Sequence, residues 1–335
     1  MVGRHGMAIV YHDMLLEHIQ WEDHPESPFR VRTLKKKLES EGLWKDVVAP
    51  DPIDEGLVLR VHTQKHLDRL KEGGNVPVTP DTMLKDDTYG YAMLSASVAV
   101  TAVKLAMKGT PTLGITRPPG HHAESEKMCG FCYLNNVAIA VESAGVRTAI
   151  IDIDVHPGNG TEEIFYGRDD VLVMDIHQDG IFPGTGAKES MGSGAGARYT
   201  VNIPIPAGSG NKTYEKAMDE IVVPILRQFK PELIVVSLGV DAHYCDNISH
   251  MFLNTQGYVE LCKRIISESK DGKIAFMLEG GYHLRATAEV VAGVMAALEG
   301  KEIKTEYGED KGEQSNGIRE IKKIKEHIGE RWNLE

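Results

Sequence analysis

The residues best suited to chemistry in this 335-residue chain are aspartates and a histidine at alternating spacing. Asp152, Asp154 and His156 stand two residues apart, so in a strand their side chains would share one face. Burying two neighbouring carboxylates is costly unless a cation or hydrogen bonds neutralise them. Asp154 and His156, together with Asp241, offer one imidazole and two carboxylates, which leaves a coordination position open for catalysis. We therefore predict a divalent metal site, against the alternative of a hydrogen-bonded polar cluster.

A second group of candidates consists of adjacent histidines and a glycine-rich tyrosine motif. His121 and His122 follow a Pro-Pro-Gly turn, and imidazole titrates near neutral pH, which suits general acid–base work. Gly280 and Gly281 allow the backbone to approach a site closely, and Tyr282 can donate a hydrogen bond to a developing oxyanion. Taken singly, the histidines are also compatible with a surface loop, and the tyrosine with a buried structural role.

These candidates follow short apolar runs that we predict to be strands of a parallel sheet. Continuous runs of β-branched hydrophobic residues are typical of strands buried on both faces. Their alternation with longer helical stretches predicts an α/β fold with one doubly wound, mostly parallel sheet flanked by helices. Because ligands bind outside the carboxyl ends of such strands, the candidates should meet at one rim of the sheet. The predicted strands are Thr112–Thr116, Thr148–Asp154, Val171–Ile176, Leu233–Gly239 and Ile274–Leu278, and the predicted helices are Tyr91–Met107, Asn136–Ser143, Lys212–Phe229, Gln256–Ser267 and Leu284–Glu299.

The alternation continues without an evident linker, so we predict a single domain over residues 1–335. The glycine-rich stretch Met191–Ala197 is interpreted as a loop inside that domain, and the polar stretch Ile303–Asn316 as irregular. From about 317 to 331 apolar residues recur at helical spacing. We interpret this segment as an amphipathic helix docked on the body, against the alternative of a partner-binding helix.

Composition argues against several classes of protein. A net charge of −12 disfavours direct binding to nucleic acid, whereas an acidic surface can attract lysine-rich proteins or polyamines. The most membrane-like stretch, Ala92–Met107, contains Lys104 and is predicted to be a buried helix, so no membrane association is expected. Four cysteines do not make a disulfide framework, and the N-terminus lacks a signal-peptide pattern, so we expect a reducing cytoplasm. The oligomeric state is not readable from these features.

Four motifs carry a resemblance to a known family. They are Arg117-Pro-Pro-Gly-His-His-Ala, Gly130-Phe-Cys-Tyr-Leu-Asn-Asn, Asp152-x-Asp-x-His-x-Gly-Asn-Gly and Leu278-Glu-Gly-Gly-Tyr. With these motifs in this order, the chain resembles the zinc-dependent histone deacetylase superfamily over nearly its whole length. Asn159 and the Leu-Glu-Gly-Gly-Tyr form are closer to its class II-like prokaryotic branch of deacetylase-like amidohydrolases and acetylpolyamine amidohydrolases. The resemblance implies the arginase/deacetylase fold and an enzyme that hydrolyses the amide of an acylated lysine or a related acylated amine.

The resemblance also implies a metal centre and its catalytic partners. It implies a catalytic Zn²⁺, although the ligand set also tolerates Fe²⁺, and a structural K⁺ held near backbone oxygens. The implied zinc ligands are Asp154, His156 and Asp241. The implied catalytic residues are His121 paired with Asp152, His122 paired with Asn159 as general base and acid, and Tyr282 polarising the scissile carbonyl. The implied surroundings of the potassium ion are Asp152, Asp154, His156, Asp175 and Ile176.

Further residues are implied to bind the substrate. Phe131 and Phe182 would wall a narrow tunnel for an acyl-lysine-like chain, and Gly130 would accept a hydrogen bond from the substrate amide. Asp81 aligns with a rim aspartate that holds the substrate backbone. Arg30 matches an arginine of the inner channel through which acetate leaves.

Departures from the family pattern affect these expectations. Asp175 stands where serine is usual beside the potassium site, so binding of the monovalent ion is expected to differ. Asn247 replaces a customary proline and is expected to reshape the pocket mouth, and His243 and Tyr244 are expected to line the entrance. The segment Asp246–Met251 lacks a glutamate like the gatekeeper of polyamine-selective relatives. This absence mildly favours an acylated lysine over an acetylpolyamine, which remains the main alternative.

Other interpretations rest on single motifs. Asp241-Ala242-His243 resembles an element of manganese-dependent ureohydrolases, but the Gly-Gly-Asp-His stretch of that family is absent. Cys129-x-x-Cys132 is compatible with redox or zinc-finger chemistry, yet no second cysteine pair accompanies it. A catalytically inactive binder of acyl-lysine would keep the pocket without turnover, although a candidate for every catalytic role is present.

Overall fold

A parallel β-sheet runs through the centre of the protein. The computed structural model describes residues 6–329 and 331–334. In chain order the strands of these residues are β1 (Ala8–Val10), β2 (Val47–Val48), β3 (Val76–Thr79), β4 (Thr82–Leu84), β5 (Thr112–Gly114), β6 (Thr148–Asp152), β7 (Val171–Gln178), β8 (Thr200–Ile205), β9 (Leu233–Leu238) and β10 (Ile274–Leu278). Eight of them form the sheet in the order β2-β1-β5-β10-β9-β6-β7-β8, and every neighbouring pair is parallel. β3 and β4 form a separate antiparallel hairpin.

The five predicted strands are all present at the middle of this sheet. Every residue of β6, β7, β9 and β10 is buried, as continuous apolar runs predict for strands covered on both faces. The predicted strand Thr148–Asp154 ends two residues early, at Asp152. Beyond that point the amide of Asp154 donates to Oδ1 of Asp152 at 3.0 Å, and the amide of His156 donates to Oδ1 of Asp154 at 3.0 Å. Because side chains take these amide protons, the chain leaves the ladder.

Sequence patterns missed the strands at both edges of the sheet. β1 and β2 have only three and two residues, which is too short for a recognisable period. β8 contains Asn202 and Pro204, and proline is tolerated there because β8 lies at the edge of the sheet. These strands form through pairing with neighbours that are distant in the chain.

Helices flank the sheet. They are α1 (Pro28–Ser40), α2 (Glu55–Val58), α3 (Gln64–Glu72), α4 (Thr88–Met107), α5 (Asn136–Ala144), α6 (Asn159–Phe165), α7 (Asn211–Ala217), α8 (Val223–Phe229), α9 (Thr255–Glu268), α10 (Leu284–Leu298) and α11 (Gly317–Ile328). The predicted single helix Lys212–Phe229 is divided into α7 and α8 by a π-helical turn at Met218–Val222. Pro224 explains the division, because proline has no amide proton for the carbonyl four residues earlier and clashes with it.

The most apolar helix is a core element. α4 is the one described helix that is long and apolar enough to cross a membrane, but 61% of its apolar window is buried inside the protein. It packs against α5 and against strands β1, β5 and β10. The interpretation of Ala92–Met107 as a buried helix is thereby confirmed.

The C-terminal segment packs on the body of the protein. The polar stretch Ile303–Asn316 contains no helix or strand, and α11 follows it. α11 contacts α7 and β8 through three buried isoleucines at helical spacing, Ile321, Ile324 and Ile328. Trp332, beyond the helix, donates its indole N–H to the carbonyl of Arg198 at 3.2 Å. Glu330, which falls within the predicted segment 317–331, lies outside the described residues, as do residues 1–5 and 335.

Candidate active site

Five adjacent strands bring the predicted site residues to one rim of the sheet. The strands are β5, β10, β9, β6 and β7, neighbours in that order. Each supplies polar side chains from its carboxyl end or the loop that follows it. These are His121 and His122 after β5, Tyr282 after β10, Asp241 after β9, Asp154 and His156 after β6, and Asp175 within β7. This is the position where open parallel sheets bind ligands.

Three buried groups converge as a candidate metal centre. Nδ1 of His156 lies 3.1 Å from Oδ1 of Asp154 and 3.1 Å from Oδ2 of Asp241, and the ligand atoms all lie within 4.8 Å of one another. The other carboxylate oxygens accept backbone protons, since Oδ2 of Asp154 bonds the amide of Gly280 at 2.8 Å and Oδ1 of Asp241 bonds that of Val155 at 2.9 Å. These bonds turn one oxygen of each carboxylate toward the imidazole.

The surroundings of the cluster fit a divalent cation. A Cβ on Gly280 would lie 2.4 Å from Oδ2 of Asp241 and 2.5 Å from Oδ2 of Asp154, so only glycine leaves the carboxylates in place. Burial and the charge of Asp154 raise the pKa of Asp241 to about 6, because two carboxylates in a dry site repel each other. A bound cation would relieve that repulsion, and one imidazole with two carboxylates is a ligand set suited to zinc.

His121 forms a buried pair with an aspartate. Its Nδ1 lies 3.1 Å from Oδ2 of Asp152, and both side chains are at most 3% exposed. Burial alone would lower the pKa of His121, but the charges of Asp154 and Asp152 raise it well above its ordinary value. Burial in turn raises the pKa of Asp152 to about 8, against the lowering effect of His121. The pair therefore retains a proton at neutral pH.

His122 has the opposite electrostatic setting. Its Nδ1 lies 2.7 Å from Oδ1 of Asn159, an amide where the first histidine has a carboxylate. Burial, together with the imidazoles of His121 and His156, lowers the pKa of His122 well below its ordinary value. His122 is therefore neutral and able to accept a proton. Gly130 lets the chain pass close to its ring, because a Cβ there would lie 2.3 Å from Cδ2 of His122.

Tyr282 is held beside an arginine. The guanidinium of Arg30 lies 4.9 Å from the centroid of the Tyr282 ring and donates to the carbonyl of Gly281 at 2.7 Å. Arg30 is 1% exposed and also pairs with Glu26 at 3.3 Å. Burial raises the pKa of Tyr282 well above its ordinary value, so its hydroxyl keeps the proton that a hydrogen-bond donor needs.

A cavity of about 240 Å³ lies over these groups. Phe131 and Phe182 line it, with Phe131 9% and Phe182 43% exposed. The Phe182 ring stands nearly perpendicular to that of His122, at 5.2 Å between centroids, and Ile248 adds a further apolar surface. The cavity thus has apolar walls and a polar floor.

The predicted rim residues also line this cavity. Asp81 follows β3, and its Oδ1 accepts from the hydroxyl of Thr82 at 2.9 Å, while its carbonyl lies 3.2 Å from Nε2 of His24. The Thr82 hydroxyl also accepts from the amide of Phe131 at 2.9 Å, which joins the hairpin to the pocket wall. The carbonyl of Gly130, the expected acceptor for a substrate amide, is 3.2 Å from Sγ of Cys132.

Asp175 forms a buried pair with His177. Its Oδ1 lies 2.6 Å from Nδ1 of His177, and its Oδ2 accepts from the amide of Gly158 at 2.8 Å. Ile176 is fully buried. Both carboxylate oxygens of Asp175 already have partners within the protein. The potassium site stays a prediction from the resemblance.

One prediction about the entrance is wrong. His243 is fully buried and stacks on Tyr244 with 4.7 Å between ring centroids, and neither residue lines the cavity. The chain turns back after Asp241, since the amide of His243 donates to the carbonyl of Val240 at 3.3 Å. That turn directs His243 inward and brings Ile248 to the entrance instead. The proposed influence of Asn247, which is exposed, stays a prediction.

Sequence patterns also missed a residue that holds Tyr282. Oδ2 of Asp246 accepts from the amides of Tyr282 at 2.6 Å and His283 at 3.0 Å, and its Oδ1 accepts from that of Ile248 at 3.2 Å. This single carboxylate therefore connects the loop after β9 to the loop after β10. The available signal was weak, because one aspartate in a polar loop has no distinctive spacing.

Comparison with known proteins gives a consistent result. The histone deacetylase domain profile matches residues 24–298. A probable deacetylase of Archaeoglobus fulgidus is 37% identical over 88% of this chain and 87% of its own length, and a histone deacetylase-like amidohydrolase of Pseudomonas aeruginosa is 37% identical over 82% and 78%. The crystal structure of the HDA15 HD domain superposes with a TM-score of 0.91 at 28% identity, covering 98% of this chain and 96% of that one.

Proposed function

The chain belongs to the histone deacetylase family, a family of amide hydrolases, and from that premise we propose that it is a zinc-dependent deacylase of acylated lysine side chains. The observation that carries the proposal is the convergence of Asp154, His156 and Asp241 directly beneath an apolar-walled cavity that His156 and His122 line. The same ligand set could hold Fe²⁺. Asp154, His156 and Asp241 would bind the metal through one nitrogen and two carboxylate oxygens.

The side chains of the cavity floor support hydrolysis by an activated water. A bound divalent cation lowers the pKa of water and polarises a carbonyl. His122, neutral at this position, takes the proton of the attacking water, and the Tyr282 hydroxyl donates to the oxygen that becomes negative. The proton then passes from His122 to the departing amine, which releases a free amine and a carboxylate. No serine or cysteine nucleophile is needed.

The shape and charge of the cavity support an extended, acylated amine as substrate. Phe131 and Phe182 provide apolar surface for the methylenes of a lysine side chain, and Asp81 at the rim provides an acceptor for substrate amide protons. An acetylpolyamine has the same methylene chain and is the second candidate. The absence of a glutamate in Asp246–Met251 favours lysine, because a polyamine carries further cations that need acidic partners.

We also propose that residues 1–335 form a single catalytic domain and that the protein is cytoplasmic. Loops from five adjacent strands of one sheet build the site, and α11 packs on that body through buried isoleucines. The four cysteines are free, which suits a reducing compartment.

Turnover of defined substrates tests the proposal. The apoprotein is reconstituted with Zn²⁺ or Fe²⁺, and kcat/KM is compared for acyl-lysine peptides and acetylpolyamines of increasing acyl length. We expect acetate release from acetyl-lysine peptides, with acetylpolyamines hydrolysed less efficiently. Better turnover of acetylpolyamines would transfer the assignment to the second candidate. Metal-loaded protein that binds acyl-lysine peptides without hydrolysing any acyl amine would instead indicate an inactive binder.

A further inference from the structure

A carboxylate outside the predicted site contacts the partner of His122. We propose that Glu124 is a positioning residue, which fixes the amide orientation of Asn159 and through it the tautomer of His122. The inference rests on the proposed role of His122 as general base. It adds a third residue to the His122–Asn159 pair. It also explains how an asparagine, which must be oriented, can accept from His122 at a position where an aspartate would need no orienting neighbour.

The contacts form a chain of two short hydrogen bonds. Nδ2 of Asn159 donates to Oε1 of Glu124 at 2.6 Å, and Oδ1 of Asn159 lies 2.7 Å from Nδ1 of His122. Nδ2 of Asn159 also lies 3.4 Å from the carbonyl of His122 and 4.0 Å from Sγ of Cys129. Among these three acceptors Glu124 is the nearest and the one that carries a formal charge, so its hydrogen bond is the strongest.

The donor and acceptor capacities of these groups then decide the tautomer of His122. An ionised carboxylate only accepts, so the end of the Asn159 amide that faces Glu124 must be the NH₂ group. The opposite end is then the carbonyl oxygen, which also only accepts. Nδ1 of His122 must therefore carry the proton, and Nε2 keeps its lone pair. A flipped amide would present NH₂ to Nδ1, and the proton would then reside on Nε2, where it blocks the base.

The loop that carries Glu124 is itself fixed. The Glu124 carbonyl lies 3.0 Å from Nδ1 of His62, and its amide donates to the carbonyl of Lys127 at 3.0 Å. The next residue, Ser125, donates from its amide and hydroxyl to Glu163 at 2.9 and 2.7 Å. The Glu124 side chain is 28% exposed, and Nζ of Lys127 lies 3.7 Å away. The carboxylate is thus presented to Asn159 from an anchored backbone.

Asn159 creates the requirement for such a residue. An aspartate at 159 would accept with either oxygen, and no neighbour would be needed to choose between its two ends. An asparagine has one accepting end, so half of its orientations are unproductive. Glu124 removes that ambiguity at the cost of holding one largely covered charge in place.

A double-mutant cycle in the zinc enzyme tests the inference. Glu124→Ala should lower kcat on an acetyl-lysine peptide by about tenfold or more, part of the 10²- to 10⁴-fold that a positioned base contributes. KM and zinc content should change little, and Glu124→Gln, which keeps an acceptor for Nδ2, should retain more activity. In an Asn159→Asp background the same alanine should cause no further loss and should raise kcat, because it removes a like charge. Glu126→Ala, an exposed carboxylate in the same loop, is the matched control and should leave kcat unchanged.

Two kinetic outcomes would overturn the inference. One is an equal loss of kcat from Glu124→Ala in both backgrounds, which would indicate a purely structural role. The other is an unchanged kcat in the single variant.

A spectroscopic readout separates this inference from the proposed function. Imidazole ¹⁵N shifts of the zinc-loaded protein, assigned by loss of the His122 signals in His122→Gln, should show Nδ1 protonated in the wild type and a mixture in Glu124→Ala. Absence of deacylase activity with this tautomer pattern would refute the proposed function alone. Protonated Nε2 in the wild type, or an identical tautomer in both proteins, would refute the positioning role.

Discussion

At the scale of single residues, the partners of two adjacent histidines separate their roles: a carboxylate faces one and an amide faces the other. His121 faces the carboxylate of Asp152, whose charge contributes to the raised pKa of that imidazole. His122 faces the uncharged amide of Asn159, and burial together with the imidazoles of His121 and His156 lowers its pKa. A proton carrier and a proton acceptor are thereby placed next to each other in the chain. Their difference depends on partners that lie 31 and 37 residues away.

Removal of the Tyr282 hydroxyl tests the oxyanion role. Tyr282→Phe should reduce kcat by about 10²- to 10³-fold, because loss of one preorganised donor to the oxyanion has that effect. The ring remains to pack against Phe131 and under Arg30, so zinc stoichiometry and thermal stability should stay at wild-type values. Steady-state kinetics and metal analysis of the same preparation provide the check. Loss of zinc in this variant would make Tyr282 structural and contradict the assignment.

Gly280→Ala tests whether backbone proximity protects the metal ligands. The added methyl group would stand 2.4 and 2.5 Å from oxygens of Asp241 and Asp154, so these carboxylates must move. We expect zinc affinity, measured by competition with a chelating dye, to fall by about tenfold or more, as when residues that support metal ligands are replaced. Gly90→Ala is the control, since a Cβ there meets no atom within 4 Å. Equal zinc affinity in the two variants would count against this account.

At the scale of elements, parallel strand ends concentrate the chemistry. Strands β5, β10, β9, β6 and β7 are neighbours, so loops from distant parts of the chain meet at one rim. The loop after β6 departs from the strand where side chains accept its backbone protons, as Asp152 does from the amide of Asp154. The strands therefore set where the residues meet, and the loops set their orientation.

A comparison within α11 tests the contribution of its packed face. Ile324 is fully buried and Ile318 is 43% exposed on the same helix. Ile324→Ala should lower the free energy of unfolding by about 2 to 5 kcal/mol, the usual cost of a buried Ile-to-Ala change, and Ile318→Ala by less than about 0.5 kcal/mol. Denaturant unfolding of both variants measures the difference. Similar values for the two would show that α11 is not stabilised by this face.

At the scale of the whole molecule, buried neutral imidazoles make stability depend on pH. His18 is 1% exposed, and its ring lies 5.4 Å from that of Tyr91 and 5.8 Å from that of Tyr133 between centroids. Neither of its ring nitrogens has a hydrogen-bond partner among the described residues. Burial lowers the pKa of His18 from 6.5 to about 4. Below pH 6.5 the unfolded chain therefore binds a proton that the folded protein does not bind until about pH 4.

His18→Phe should reduce this pH dependence. Between pH 7 and pH 5 the wild-type protein should lose about 2 kcal/mol of unfolding free energy through His18 alone, because proton uptake by the unfolded state drives unfolding. The variant has no imidazole at this position, so its unfolding free energy should fall by about 2 kcal/mol less than that of the wild type over the same pH interval. Urea unfolding at both pH values measures it, with pH 7 and pH 8 as the control interval in which His18 makes little contribution. An equal pH 7-to-5 loss in both proteins would show that His18 is not responsible.

Much of the site was predictable because its chemistry is local in sequence. Asp154, His156 and the His121-His122 pair stand in short motifs at strand ends, and apolar β-branched runs reveal those strands without knowledge of their partners. The chain itself thus determined the central strands, the residue types of the candidate metal centre and the rim where they meet. Edge strands such as β2 were not predictable, because their pairing is non-local.

Only the tertiary structure decided how these residues face one another. It places Ile248 rather than His243 at the entrance and brings Asp246 to the backbone of Tyr282. It also brings Glu124 within 2.6 Å of Asn159, 35 residues later in the chain. The physical reason is that a loop's hydrogen bonds to distant elements set the direction of its side chains, and no spacing within the loop encodes those partners.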